Sequence, residues 1–266
     1  MTKLTDFPSR KQAGKKLSLL TCYDAYTAAV LQSTDIDAVL VGDSAAMVVH
    51  GHPSTLQADI AMIEAHVKAV RAGGPKLPII ADMPFISTRT SLAAATEAAG
   101  RLMQAGADGV KIEGLIGHEQ LIPHLVHSGI PVMGHLGLTP QSVHIFGGYR
   151  VQGRNKAAAA AMRDHALELQ RLGCFSLVLE CIPATLGTEI TRSLDIAVIG
   201  IGAGDQTDGQ ILVLQDLLGL GSQKQPRFVR RYLDGAALIN GAVQQYIRDV
   251  QDGSFPAPSE QYLEAE

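Results

Sequence analysis

Short apolar runs alternate with longer amphipathic stretches along the whole chain. The runs LSLLT (17–21), DAVLVGD (37–43), LPIIADM (77–83), GVKIEG (109–114), IPVMGHLG (130–137), FSLVLECI (175–182) and IAVIGIGAG (196–204) have the length and near-continuous hydrophobicity of strands buried on both faces. An eighth falls within QILVLQD (210–216). Between them, SLAAATEAAGRLMQAG and KAAAAAMRDHALELQRLG place polar residues at helical spacing and end on Gly106 and Gly173, as helix stops. The segments TEAAGRLMQAGADGVKIEG and LELQRLGCFSLVLE share one order of helix, glycine, turn, strand and acid, which points to a repeated βα unit.

Eight strands alternating with helices in 266 residues predict an α/β fold, a (β/α)8 TIM barrel. An open doubly wound sheet is the alternative. No Pro/Ser/Gly-rich linker divides the chain, so residues 1–266 read as a single domain with a C-terminal helical extension from about residue 226. That extension carries a further amphipathic stretch, RFVRRYLDGAALINGAVQQYIRDVQ (227–251).

Composition narrows the function. A net charge of −4 offers no polyanion-binding surface, and with 5% aromatics and no tryptophan there is no stacking platform, so nucleic acid is excluded as a partner. No apolar run approaches the ~20 residues of a membrane-spanning helix, and the polar start MTKLTDFPSRKQAGKK lacks the apolar stretch of a secretory signal. Cys22, Cys174 and Cys181 show no CxxC spacing and fit a reducing, cytoplasmic setting. GIGAGDQ (200–206) carries Asp205 where a dinucleotide fingerprint needs its last glycine, and HEQLI (118–122) carries Ile122 where a zinc-protease motif needs histidine. His50 and His52 have a ligand-like spacing but no third partner in the sequence nearby.

The chemistry lies at the strand ends. Strand two ends in Asp43–Ser44 and strand three in Asp82; strand four carries Lys111 and Glu113, strand five His135 and strand six Glu180. Side chains alternate along a strand, so Lys111 and Glu113 share one face. In a closed barrel that face is the interior, and the strand ends converge on one mouth. Any one of these acids alone reads equally as a strand-end cap or an ion pair. Four together need a cation, a shared proton or a lysine. Hard oxygen donors of this kind suit Mg2+, with Asp43 and Asp82 as direct ligands and Glu113 as a third, directly or through water. Lys111 is then available to an anionic small-molecule substrate, and Glu180, across the mouth, to a proton.

These residues and their surroundings resemble the ketopantoate hydroxymethyltransferase family over nearly the whole chain. The matching stretches run from TCYDAYTA through VGDSAAMVVHGHPST, ADMPF, VKIEG, GHLGLTPQSVHIFGGYRVQGR and VLECIP to GIGAGDQTDGQILVLQDLLG. The resemblance implies a (β/α)8 barrel that assembles as a homodecamer of two pentameric rings. It implies transfer of a hydroxymethyl group from 5,10-methylenetetrahydrofolate to 3-methyl-2-oxobutanoate, giving ketopantoate on the route to pantothenate and coenzyme A. Carried over by motif, Asp43, Asp82 and Glu113 hold Mg2+. Asp43, Ser44, Asp82 and Lys111 contact the oxo acid, His135 lines the pocket, and Glu180 is the proton acceptor. Ala45–Ala46, Thr88, Leu115 and Gln215 depart from residues common in the family, and none removes a ligand or the base.

Two rival readings stand beside it. A Mg2+-dependent C–C lyase or mutase of the phosphoenolpyruvate mutase/isocitrate lyase type shares the Asp-Ser after the second strand, but its KKCGH-like cysteine motif is absent here. A non-catalytic barrel that binds an oxo acid or folate would not need Glu180.

Overall fold

The computed structural model describes residues 2–221 and 225–262. Eight parallel strands close into a barrel in sequence order: β1 (Leu17–Thr21), β2 (Ala38–Val41), β3 (Ile79–Asp82), β4 (Gly109–Glu113), β5 (Val132–Gly137), β6 (Ser176–Glu180), β7 (Ala197–Ile201) and β8 (Gly209–Leu212). Closure comes from β8 pairing back on β1, with Leu17 opposite Gly209 and Leu20 opposite Leu212. The open-sheet alternative is thereby removed. Each strand falls within its expected apolar run, though β2 stops at Val41, which leaves Asp43 in the turn beyond the strand.

The helices are α1 (Phe7–Gln12), α2 (Ala25–Gln32), α3 (Ala45–Val48), α4 (Ile60–Gly73), α5 (Leu92–Ala105), α6 (Leu121–His127), α7 (Val143–Phe146), α8 (Lys156–Arg171), α9 (Ala184–Ser193), α10 (Leu214–Leu217) and α11 (Gly235–Asp252). Their starts follow local chemistry. Asp59, Ser91 and Asn155 accept the otherwise unpaired N–H groups of Met62, Ala94 and Ala158 at the heads of α4, α5 and α8. α5 ends on Gly106 in the left-handed conformation (φ +116°), where a side chain would be strained.

The barrel interior changes character along its axis. At the N-terminal end α1 acts as a plug, with Phe7 fully buried and its ring edge-on to Phe175 at 5.7 Å. The middle is filled by Leu17, Leu19, Leu40, Ile80, Met133, Val178 and Ile199, inward positions of six strands. At the C-terminal ends the inward positions turn polar, and Asp82, Lys111, Glu113 and His135 are all buried.

The barrel is complete within the compact unit Met1–Leu214, and Gln215–Glu266 forms a second compact unit. In the second unit the helix expected over 227–251 begins only at Gly235. Before it the N–H groups of Val229 and Tyr232 bond Pro226 O and Leu217 O, so that stretch is spent on turns. Along α11, Leu238, Ile239, Val243, Tyr246 and Val250 are exposed. Among the described residues no helix is long and apolar enough to cross a membrane.

Candidate active site

Register brings the strand-end residues together. Asp82 stands opposite Lys111 across β3 and β4, Glu113 opposite His135 across β4 and β5, and Gly137 opposite Glu180 across β5 and β6. Asp82, Lys111, Glu113, His135 and Glu180 line one cavity of about 110 Å3, together with Asp43, Ser44 and Thr21 and the apolar Leu40, Val178, Ile201 and Ile211. Pockets for drug-sized ligands run to ~300–1,000 Å3, so this cavity is small by comparison.

Lys111 Nζ lies 2.6 Å from Asp82 Oδ1, 3.5 Å from Glu113 Oε1 and 3.3 Å from His135 Nδ1. His135 spans two acids, with Nδ1 3.3 Å from Glu113 Oε1 and Nε2 3.3 Å from Glu180 Oε2. Asp43 donates its backbone N–H to Asp82 Oδ2 at 3.0 Å. Ser44 shares a 2.7 Å hydrogen bond with the hydroxyl of Tyr23. All seven candidate side chains therefore meet in one place, and Lys111 and Glu113 both face the pore.

The electrostatics follow from burial and crowding. Burial raises the Asp43 carboxyl well above the usual range, and repulsion from Asp82 and Glu113 adds to it. Asp82 is also raised by burial, against the pull of Lys111. Burial works the same way on Glu113, but Lys111 and then His135 outweigh it and hold this carboxyl below its ordinary value. Lys111 is raised: burial opposes its charge, and Asp82, Glu113 and Asp43 overcome it. Burial and Lys111 lower the His135 imidazole, while its contacts with Glu113 and Glu180 carry it up to about 9. At neutral pH the mouth thus holds two cations among its acids.

The donor set fits a hard divalent cation. Among the described residues no three His, Cys, Asp or Glu side chains converge at metal-ligand spacing. Mg2+ takes one or two carboxylates and leaves its other positions to water and substrate, so Asp43 and Asp82 are enough. Asp82 Oδ1 is buried and faces Lys111 Nζ at 2.6 Å without a well-aligned hydrogen bond, and a carboxylate oxygen in that state keeps a lone pair for a metal cation. Glu113 instead has both oxygens engaged, Oε1 by Lys111 and His135 and Oε2 by the backbone N–H of Gln141 at 3.0 Å. A water-bridged place for Glu113 suits that geometry.

Two residues of the site lie in matching motifs whose roles the sequence did not reveal. Gln141, in GHLGLTPQSV, donates through Nε2 to Asp43 Oδ2 (2.9 Å) and to Met83 O (3.0 Å). Tyr23, in TCYDAYTA, is buried behind Ser44. Both sit in loops past strand ends, where no periodicity reports a side chain's direction; a polar residue inside a long matching motif was the available signal. Backbone constraints support the same mouth. A Cβ on Gly42 would lie 2.9 Å from Ser44 Oγ and 3.3 Å from Asp82 Oδ2, and one on Gly137 (φ +99°) would run into the carbonyl of Glu180. Ile86 and Cys181, in the loops after Asp82 and Glu180, take positive φ of 64° and 48°. Such strain in non-glycine residues collects at functional sites. Thr88 hydrogen-bonds the buried His118 at 2.8 Å, tying the β3 loop to the β4 loop. His50 meets a third histidine after all, its Nε2 lying 2.9 Å from that of His66 on α4.

A closed parallel barrel with a small, buried, charge-lined pocket at its C-terminal mouth defines a (β/α)8-barrel enzyme. The family model described as ketopantoate hydroxymethyltransferase matches residues 1–258. The 3-methyl-2-oxobutanoate hydroxymethyltransferase of Bdellovibrio bacteriovorus is 48% identical over 262 residues, 98% of this chain and 100% of that protein. That of Legionella pneumophila strain Paris is 49% identical, covering 96% of this chain and 98% of its own length. Among solved structures, 2,3-dimethylmalate lyase superposes with a TM-score of 0.63 at 16% identity, over 94% of this chain and 88% of that one. Phosphonopyruvate hydrolase complexed with oxalate and Mg++ gives 0.62 at 10%, over 98% and 93%. At such identities these two speak for the fold alone. The chain belongs to the ketopantoate hydroxymethyltransferase family, and it is a transferase enzyme.

Proposed function

We propose that this enzyme transfers a hydroxymethyl group from 5,10-methylenetetrahydrofolate to 3-methyl-2-oxobutanoate, forming ketopantoate. The observation that carries the reading is the meeting of Asp43, Asp82, Lys111, Glu113, His135 and Glu180 around one small cavity in a chain of this family. Asp43 and Asp82 would hold Mg2+, with Glu113 behind them through water. When bound, the ion supplies positive charge to the enolate that forms from the oxo acid.

The chain's own residues do the rest. Lys111 meets the substrate carboxylate, and Ser44, fixed by Tyr23, donates to the oxo acid beside it. Glu180 takes the proton from C3, and the protonated His135 at 3.3 Å steadies Glu180 before it does. The C3 carbon then forms its bond to the one-carbon unit, and both bonds of that methylene to folate nitrogens break. Water provides the hydroxyl oxygen, and the proton held by Glu180 and one from the water end on the two released nitrogens. The apolar lining of Leu40, Val178, Ile201 and Ile211 suits the branched carbon chain.

The free state of Cys22, Cys174 and Cys181 supports a cytoplasmic enzyme. The exposed apolar residues of α11 support a homo-oligomer, a decamer by the family resemblance.

The test follows deuterium exchange at C3 of the oxo acid by NMR, with Mg2+ present or absent and then with the folate added. Metal-dependent exchange together with folate-dependent ketopantoate is the expected result. Failure of exchange in every condition, or product without folate, would overturn the reading.

A further inference from the structure

We propose that Gln141 is the positioning residue that holds Asp43 and Glu113 in their working geometry; this rests on the metal-assisted reading given above. Asp43 lies past the end of β2, where no strand ladder fixes its side chain. Its Oδ2 is held at 2.9 Å by Gln141 Nε2, whose other hydrogen goes to Met83 O at 3.0 Å. The backbone N–H of the same residue holds Glu113 Oε2 at 3.0 Å. One residue from the β5 loop therefore touches the loop ends of β2, β3 and β4.

The segment that carries it is braced. Leu138 N–H bonds the carbonyl of Glu180 at 2.8 Å, Pro140 opens a 3-10 turn over Pro140–Ser142, and Ser142 N–H closes on Thr139 O at 2.8 Å. The fixed φ of proline reduces the ways this turn can move. The side chain is also chemically apt. An amide nitrogen gives two hydrogens to two acceptors and adds no charge. Glutamate would bring another carboxylate into the cluster, and lysine would compete with a metal ion for Asp43. With Oδ2 occupied, Asp43 presents Oδ1, to which no hydrogen bond from the described residues is made.

The experiment compares wild type with Gln141→Met, which keeps length and backbone N–H but removes the amide, and with Gln141→Asn, which keeps the amide one carbon short. Mn2+ affinity is read by EPR, alongside the thermal midpoint without metal. Partners behind metal ligands typically contribute 10–100-fold in affinity. The expected result is a loss of that size in both variants with the metal-free midpoint unchanged, and with kcat falling in step. Mn2+ affinity within twofold of wild type in either folded variant overturns the proposal. So does a fall in the metal-free midpoint of both variants that accounts for the lost affinity, since that marks a merely structural role. Wild type that binds Mn2+ but forms no ketopantoate sinks the functional reading alone, and the Mn2+ comparison still decides Gln141. Wild type that binds no Mn2+ overturns both.

Discussion

His135 Nε2 lies 3.3 Å from Glu180 Oε2 while its Nδ1 lies 3.3 Å from Glu113 Oε1, so one buried imidazole joins the proposed base to the acid cluster. Burial, and then the adjacent lysine, work against its proton, yet the two carboxylates win and the imidazole is raised to about 9. Near neutrality it is a fixed cation.

That raised value sets a stability window. A histidine lifted on folding adds stability that is complete below its unfolded value of ~6.5 and is lost as pH rises through about 9. Urea denaturation of the metal-free protein should therefore show wild type ahead of His135→Gln by on the order of a few kcal/mol at pH 6. The gap should close by pH 10. A constant gap across that range would mean His135 is not charged.

Glu180→Gln removes the proposed proton acceptor but keeps the size of the side chain. General-base residues contribute ~10²–10⁴-fold. C3 exchange and kcat should fall by that factor, while calorimetry with the oxo acid shows binding near that of wild type. Undiminished exchange would assign the proton to another residue.

Lys111→Met takes the cation out from among Asp82, Glu113 and Asp43. Breaking a buried ion pair from one side costs ~3–5 kcal/mol, and a loss of this order is expected in the metal-free protein. Added Mg2+ should recover part of it, because a divalent ion can replace the missing charge. The measurement is the denaturation midpoint with and without Mg2+.

Gly42→Ala places a methyl group 2.9 Å from Ser44 Oγ and 3.3 Å from Asp82 Oδ2. Small displacements at a reacting centre can cost ~10²-fold in rate. The variant should fold, bind metal more weakly and lose up to that factor in kcat/KM. Full activity would show that the turn yields without moving Asp82.

Chelation gives the broadest check. EDTA should abolish C3 exchange, and restoring Mg2+ to 100 times its dissociation constant should stabilise the fold by ~2.7 kcal/mol. A thermal shift without such a response would separate this site from the metal.

Much of this architecture was legible in the chain. β1 (17–21) lies where its apolar run does, and the paired helix–glycine–strand–acid segments correspond to α5 with β4 and α8 with β6, ending in Glu113 and Glu180. Hydrophobic runs and glycine stops are local signals, so they survive without knowledge of the fold. Gln141 and Tyr23 were not legible as site residues, because a loop side chain takes its direction from distant partners. The start of α11 was misplaced for a similar reason: the amphipathic pattern continues into residues whose N–H groups are taken elsewhere.

The sequence by itself determined that Lys111 and Glu113 share a face, since alternation along a strand is a property of its covalent geometry. It also determined which acids stand at strand ends. Whether that shared face met water or the pore was decided only when β8 paired with β1, enclosing Lys111 within 2.6 Å of Asp82. Closure is a long-range event that removes the inner face from solvent, and removal from solvent is what turns spaced charges into an interacting site.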